Sequence, residues 1–348
     1  KLMIRLLLAA TTLIALHAAA ADVERVTRGN LAIEGIPEIP AELIERMRRY
    51  QHSRGASLVG WTPDGRITIS TRFGNTAQLH VVDRPMGDRR QITFFDEPSG
   101  GCAWSPTGAR KGIAYTRDTG GNENFQIEYL DPANPVPVRL TDGRGRAGNI
   151  QWSPDGTKIA FTWTAKNGTD SDVYIDDPLD KRLPELVFET GSPGWGIGEW
   201  SPDGKSLLAV RFISVNETYL HVYDLESRTL KEIEPSKEKA ARFNAVFSGD
   251  GKGVYYTSDL GSEFQTLRHV DLASGKITPL TAGVNWDVDD VTLSDDGRYL
   301  AYVFNEDGAN RVLIRDVATG SDVAVPKLPF GVLGGIAFEP NAHRPAFS

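Results

Sequence analysis

Cysteine is nearly absent from this chain of 348 residues, since Cys102 is the single one. One cysteine excludes an internal disulfide, so the fold must owe its stability to packing. Basic residues are also too few to favour a nucleic-acid partner: 38 Lys and Arg stand against 46 Asp and Glu, and the net charge is −8. The remaining composition is that of an ordinary globular protein, and the length suits one or two domains.

Motifs that carry catalysis are missing as well. The sequence contains no Gly-x-Ser-x-Gly nucleophile elbow, no His-Glu-x-x-His pair and no Cys/His cluster with metal-ligand spacing. We therefore expect no catalytic residue, no metal and no other cofactor in this chain.

The first 21 residues have the layout of a secretory signal. Lys1 and Arg5 form a short positive region, residues 6–16 are mostly apolar, and the small residues Ala18 to Ala21 follow. The apolar run is too short for a transmembrane helix. We predict a signal peptide over residues 1–21, a periplasmic or secreted location, and no membrane insertion once the signal is removed.

A five-residue signature recurs along the rest of the chain about every 45 residues, and a fixed period of this length indicates one repeated supersecondary unit. Its fullest form is Trp-Ser-Pro-Asp-Gly, in which Pro, Asp and Gly each favour a tight turn. The seven copies begin at Trp61, Trp104, Trp152, Trp200, Phe247, Leu293 and Phe338.

Four short strands, here named A to D, fit into each period, and this is the pattern of a propeller blade. We predict an all-β fold: a β-propeller over residues 55–348 with six complete four-stranded blades and a truncated seventh. The seventh unit stops early in its second strand, which predicts an open sheet edge at the ring closure and a parent protein of seven or eight blades.

A lead-in over residues 22–54 precedes the repeats. It is polar at first and then contains a short helix over residues 41–51, bracketed at its start by Pro37 and Pro40. Leu43, Met47 and Tyr50 fall at helical spacing, so we expect one face of this helix to dock on the propeller.

Binding residues are expected in the loops between strands B and C. In a propeller these loops and the D–A loops surround one mouth of the central channel. Arg72 and Arg117 each follow a strand B, and the Gly- and Asn-rich loop after Arg117 contains Asn122 and Glu123. Two arginines and a glutamate at this mouth would suit a charged peptide end. The alternative is that these side chains are solvated or form ion pairs between blades.

Two other constellations have simpler explanations. Three histidines precede an aspartate by two or three residues, but all occupy the same strand-C position of different blades, so repetition explains them: His80, His221 and His269. An acidic cluster suggests calcium, but its spacing does not match an EF-hand loop and two members belong to a blade turn. Its members are Asp287, Asp289, Asp290, Asp295 and Asp296.

Several loop stretches, together with the signature, resemble the prolyl oligopeptidase family of serine peptidases, in particular exported dipeptidyl-peptidase and acylaminoacyl-peptidase members. The resemblance covers residues 36–348. The signature alone is equally similar to TolB-type propellers. The stretches that favour the peptidases are residues 36–54 with the short helix, 70–80, 91–95, 116–123, 140–143, 167–170 and 286–288.

The resemblance implies a propeller that gates a C-terminal α/β-hydrolase domain carrying Ser, Asp and His, a domain absent from these 348 residues. It further implies that propeller loops hold the amino end of a peptide substrate. Arg72 and Arg117 match the arginine role, and Glu123, or Asp287 and Asp289, match the acidic role. The adjacent Glu-Glu pair of the best-known dipeptidyl peptidases is missing, which leaves dipeptidyl, tripeptidyl, acyl and endopeptidase specificity open.

Two functions therefore follow from the sequence. The first is the propeller of a secreted serine peptidase, inactive alone, with peptide substrates and its own hydrolase domain as partners. The alternative is a TolB-like periplasmic protein-binding propeller without enzymatic activity. A TolB-type protein carries a separate α/β domain before the propeller, and the lead-in of residues 22–54 is too short for one.

Overall fold

The structure is a computed structural model that describes residues 23–29, 31–107, 109–180 and 182–348. The predicted signal peptide over residues 1–21 lies outside the described residues. The chain divides into two compact units, one ending at Ser53 and the other spanning Arg54–Ser348. Within the described ranges, no helix is both long enough and apolar enough to cross a membrane.

The first unit contains an antiparallel hairpin and a helix. Strands β1 (Arg25–Arg28) and β2 (Leu31–Glu34) pair in register, an element that the polar lead-in did not predict. Helix α1 (Ala41–Gln51) has the predicted bounds and begins after Pro40. No residue of α1 is buried, and Leu43 is 45% exposed. The docking of its apolar face therefore stays a prediction.

The second unit is a propeller of six four-stranded antiparallel blades, as the repeat predicted. The first three blades consist of β3 (Ala56–Trp61), β4 (Ile67–Thr71), β5 (Gln78–Val82) and β6 (Arg89–Gln91); β7 (Gly100–Trp104), β8 (Ile113–Arg117), β9 (Gln126–Asp131) and β10 (Asn134–Arg139); and β11 (Ala147–Trp152), β12 (Ile159–Trp163), β13 (Asp172–Asp176) and β14 (Glu185–Phe188). The next three consist of β15 (Trp195–Trp200), β16 (Ser206–Ser214), β17 (Glu217–Asp224) and β18 (Thr229–Ile233); β19 (Arg242–Phe247), β20 (Gly253–Ser258), β21 (Thr266–Asp271) and β22 (Ile277–Pro279); and β23 (Val288–Leu293), β24 (Tyr299–Glu306), β25 (Ala309–Asp316) and β26 (Asp322–Val323).

The seventh unit forms a two-stranded sheet of β27 (Ile336–Phe338) and β28 (Pro345–Phe347). The A strands of consecutive blades contact one another around the channel, and β27 takes its place in this series between β23 and β3. The inner strand therefore continues the series at the ring closure, and the expected open sheet edge lies at β28, which among the described residues pairs with β27 alone.

The hydrophobic core is divided among the junctions between blades. Each of six buried clusters joins residues of two consecutive units, from the junction of blades one and two to that of blades six and seven. At the junction of blades two and three, for example, Tyr129 packs on Trp152 with ring centroids 6.2 Å apart. No such cluster joins the seventh unit to blade one among the described residues, so this junction depends on other contacts.

The signature turn is held by its own side chains. Ser153 Oγ donates to Asp155 Oδ1 at 2.6 Å, and the same carboxylate oxygen accepts the Thr157 N–H at 3.0 Å. The hydrogen bond from Ser153 lowers the pKa of Asp155 below its ordinary value. The glycine is required for space as well as for its positive φ, since a Cβ on Gly297 would lie 2.6 Å from Gly249 of the preceding turn.

The signature tryptophan ties neighbouring blades together. The Trp152 indole N–H donates to the Ala103 carbonyl at 2.9 Å, and Trp200 donates to Gln151 at 3.1 Å. Each acceptor lies directly before the signature aromatic of the preceding unit. Trp61 repeats this bond across the ring closure, with the Ala337 carbonyl as acceptor at 3.1 Å.

Blade five has Phe247 at this position and so has no indole to donate. Instead, the backbone N–H of Phe247 donates to the carboxylate of Glu199 on strand A of blade four. Burial raises the pKa of Glu199 to about 7, although the bond from Phe247 acts in the opposite direction. The link between blades four and five therefore includes a carboxyl group that titrates near neutral pH.

We expect Trp61→Phe to lower the free energy of unfolding by about 1 kcal/mol, because one hydrogen bond at the closing junction is lost. Trp286→Phe is the control: Trp286 is 39% exposed, and its change should stay within about 0.5 kcal/mol. Urea unfolding measures both. Equal losses in the two variants would contradict the role of Trp61 in closing the ring.

We expect Glu199→Gln to change the pH dependence of stability. A raised pKa means that the folded state holds the proton more tightly, so this group's stabilisation is present at low pH. It is lost as the pH rises from about 4.3 to about 7, by at most about 1.4 kcal/mol per pH unit. Glutamine keeps an acceptor for Phe247 without titrating. Relative to the unmodified chain, the variant should therefore gain stability across this window, in urea unfolding at several pH values. Glu226→Gln at an exposed position should show no such gain.

Candidate functional site

The strand directions place two sets of loops on one face of the propeller. In an antiparallel blade, the B–C loop and the D–A loop that leads to the next blade lie at the same end of the strands. We call this end the B–C face. The signature turns, which join strands A and B, lie on the opposite face.

A cavity of 910 Å³ opens on the B–C face between blades two, three and four. Its walls are the beginnings of three A strands and two B–C loops. The lining consists mostly of glycine, asparagine, serine and threonine, with two charged side chains and two aromatic ones. Its lining residues include Asn122, Glu123, Phe125, Arg146, Asn149 and Trp195.

Bulges in the A strands shape this cavity. The register of β7 against β8 shifts between Gly100 and Ala103, and that of β11 against β12 shifts between Gly148 and Gln151. Within the second bulge, Asn149 has a φ of 54°, a conformation that asparagine tolerates better than most residues. Its Oδ1 accepts a hydrogen bond from Thr162 Oγ1 at 3.0 Å. A bulge bends the strand and redirects its side chains, here at the channel wall.

Two of the predicted residues, Asn122 and Glu123, line this cavity. The Glu123 N–H donates to Asp118 Oδ2 at 2.9 Å, and Glu123 has a φ of 58°. Asn122 Oδ1 accepts the Asn124 N–H at 3.0 Å. These bonds fix the loop backbone. Within the described part of the chain, the Glu123 carboxylate has no ion-pair partner, so its charge is available to a ligand.

Arg117 is used inside the protein instead. Its guanidinium pairs with Glu128 at 2.7 Å and with Glu97 of the preceding D–A loop at 3.2 Å, and it lies 4.2 Å from the Phe95 ring centroid. The hydrogen bond to Glu128 raises the pKa of Arg117 above its ordinary value. Arg117 therefore forms structural ion pairs, which was the alternative to a binding role. It does not line the cavity.

Arg72, Asp287 and Asp289 lie elsewhere on the B–C face. Arg72 directly follows β4 in blade one and is not part of the cavity lining. Asp287 Oδ1 accepts the Gln265 N–H at 2.8 Å. Loss of hydration, with a smaller contribution from Asp287, raises the pKa of Asp289. The structure therefore does not bring the six predicted residues into a single site.

The three strand-C histidines share one electrostatic environment, and the acidic cluster forms no metal site among the described residues. Burial lowers the pKa of His221 to about 4, and it also lowers the pKa of His80 and His269, so all three favour the neutral form. The described residues contain no group of three or more His, Cys, Asp or Glu side chains placed to hold a metal ion. The three histidines remain members of equivalent C strands, as repetition explains.

Arg146 and Trp195 were missed by the sequence analysis. Arg146 is exposed and lies in the D–A loop before β11, with its guanidinium 5.5 Å from the Phe125 ring centroid. Trp195 begins β15 and donates from its indole to Ser192 Oγ at 3.1 Å. The sequence contains a feature that could have indicated Arg146. The D–A segment 143–148 carries two arginines among three glycines, and D–A loops lie on the same face as B–C loops.

No protein-family model matches this sequence, and no curated protein matches it. Solved structures do match. A prolyl endopeptidase superposes with a TM-score of 0.68 at 15% identity, over 93% of this chain and 55% of that chain. Prolyl oligopeptidase B from Galerina marginata gives 0.63 at 16% identity, over 85% of this chain and 48% of that chain.

TolB from Acinetobacter baumannii also matches, with a TM-score of 0.50 at 18% identity, over 82% of this chain and 70% of that chain. At these identities the likeness shows the fold alone. This propeller is therefore similar to those of prolyl oligopeptidases and of TolB alike. The chain spans about half the length of the two matched peptidases.

We expect Arg117→Gln to lower the free energy of unfolding by about 2–3 kcal/mol, because Glu128 is 5% exposed and would lose its cationic partner. Arg144→Gln is the control. Arg144 pairs with Asp142 but is 70% exposed, so its loss should cost less than about 1 kcal/mol. Urea unfolding of both variants checks this. A stable Arg117→Gln variant would show that the buried ion pair is not needed for the fold.

Proposed function

We propose that this propeller admits and anchors peptides for a serine peptidase of the prolyl oligopeptidase family. The observation that supports this most is the cavity on the B–C face, whose one acidic and one basic side chain have no ion-pair partner among the described residues. The extent of the likeness to a prolyl endopeptidase, 93% of this chain, supports the same assignment.

The propeller contributes positioning and selection in this proposal. Glu123 provides the negative charge for the amino end of a peptide, and the amide and hydroxyl groups of the cavity are available to the peptide backbone. Anchoring a substrate next to a reactive centre lowers the entropic barrier to reaction. A channel bounded by seven A strands admits an extended chain more readily than a folded protein. The chemical step, acyl transfer through a serine ester, belongs to a hydrolase domain outside this chain.

We also propose that the protein works in the periplasm or outside the cell, on the basis of residues 1–21. A second candidate function is a TolB-like propeller that binds a protein partner without enzymatic activity. The alignment with TolB favours it, since that alignment extends over 70% of the solved TolB chain.

The product of the complete reading frame that encodes this chain distinguishes the two functions. We expect the frame to continue into a Gly-x-Ser-x-Gly segment followed by Asp and His, and its purified product to hydrolyse short unstructured peptides but not folded proteins. Replacing the Ser of that segment by Ala should abolish hydrolysis and leave peptide binding unchanged. A frame that ends after one further closing strand, with a product that cleaves no peptide, would contradict the peptidase and support the TolB-like function.

A further inference from the structure

Arg146 has no anionic partner among the described residues, unlike Arg110, Arg117 and Arg144. Arg110 pairs with Asp177 at 2.6 Å, Arg144 with Asp142 at 2.5 Å, and Arg117 with two glutamates. The guanidinium carbon of Arg146 lies 5.5 Å from the centroid of the Phe125 ring. An arginine that lines a cavity without a counter-charge is a ready site for an anion.

The backbone around Arg146 is held in place. Its N–H donates to Thr164 Oγ1 at 2.9 Å, and its carbonyl accepts the Thr164 N–H at 3.0 Å. These two bonds join the D–A loop to the B–C loop of the same blade. They fix the backbone from which the Arg146 side chain extends, and the Phe125 ring lies beside its guanidinium.

The other lining residues of the cavity indicate which class of anion Arg146 could bind. Its lining is uncharged apart from Arg146 and Glu123, and it is rich in amide, hydroxyl and backbone groups. For an anion of high charge, the cavity offers only Arg146 as a cation, and the carboxylate of Glu123 would repel it. A carboxylate carries one charge and matches the two parallel N–H groups of a guanidinium.

We propose that Arg146 binds a carboxylate of the peptide ligand, either its carboxyl end or an acidic side chain. This inference rests on the proposed function in taking the ligand to be a peptide. Arg146 and Glu123 then give the cavity opposite preferences, one for a carboxylate and one for an ammonium group. The site would select peptides by charge as well as by size.

Isothermal titration calorimetry on the full chain tests the proposal with three N-acetylated tripeptides, whose blocked amino ends do not engage Glu123. The first is trialanine with a free carboxylate, the second is its carboxamide, and the third is the carboxamide with a central glutamate. We expect the first or the third to bind about tenfold or more tightly than the neutral second peptide. Which of the two binds identifies the source of the carboxylate.

Arg146→Gln should remove this preference, and Arg146→Lys should retain part of it, since lysine keeps the charge without the paired N–H groups. Arg144→Gln is the matched control: it lies two residues away, pairs with Asp142 and is not part of the cavity lining, so the preference should persist. Both positions are exposed, and cooperative urea unfolding of each variant confirms that the fold is intact.

Equal binding of all three peptides, or an unchanged preference in Arg146→Gln, would overturn the carboxylate site. If this happens while the complete reading frame still yields a peptidase, the proposed function stands and only the role of Arg146 fails. Absence of binding by any of the peptides would overturn the site together with peptide anchoring by this cavity.

Discussion

Each blade of this propeller has two apolar faces, and it can bury them only against its neighbours. The core is accordingly a series of layers between consecutive units rather than one central cluster. Such a series has one special position, where the last unit meets the first. Here that junction has the Trp61–Ala337 hydrogen bond but, among the described residues, no buried apolar cluster. Among the described residues, this junction therefore differs from the other six in having no buried apolar cluster.

Polar contacts at the B–C face also join consecutive blades. A glutamate from a D–A loop pairs with an arginine of the next blade in two places: Glu97 with Arg117, and Glu234 with Arg242 and Arg268. Arg242 is 1% exposed, so its charge is tolerated only because Glu234 and backbone carbonyls surround it. These networks fix each loop on the following blade. In the cavity of blades two to four, the charged side chains without an ion-pair partner among the described residues are Glu123 and Arg146.

The sequence predicted the fold well because the signature encodes local geometry. Pro, Asp and Gly determine the turn, the aromatic before them marks the end of strand A, and the period determines the blade. The bounds of helix α1 were predicted for a similar reason, since Pro40 limits its start. The site was predicted less well. Arg117 and Arg146 both stand beside strands at the B–C face, and only tertiary contacts show that the first is paired and the second is not. The A-strand bulges that shape the cavity also arise from packing around the channel.

The position of the cavity relative to the ring suggests how it keeps its shape. It is built from blades two, three and four, whose junctions contain the pairs Tyr129–Trp152 and Phe188–Tyr223, while Phe161 stacks on Tyr174 within blade three. None of its lining residues belongs to the seventh unit or to blade one. A binding site that must hold two opposite charges at a fixed separation needs rigid walls, because a small displacement weakens both contacts. The propeller thus provides such a site at its well-packed junctions, while the closing junction, with its single indole bond, carries no part of it.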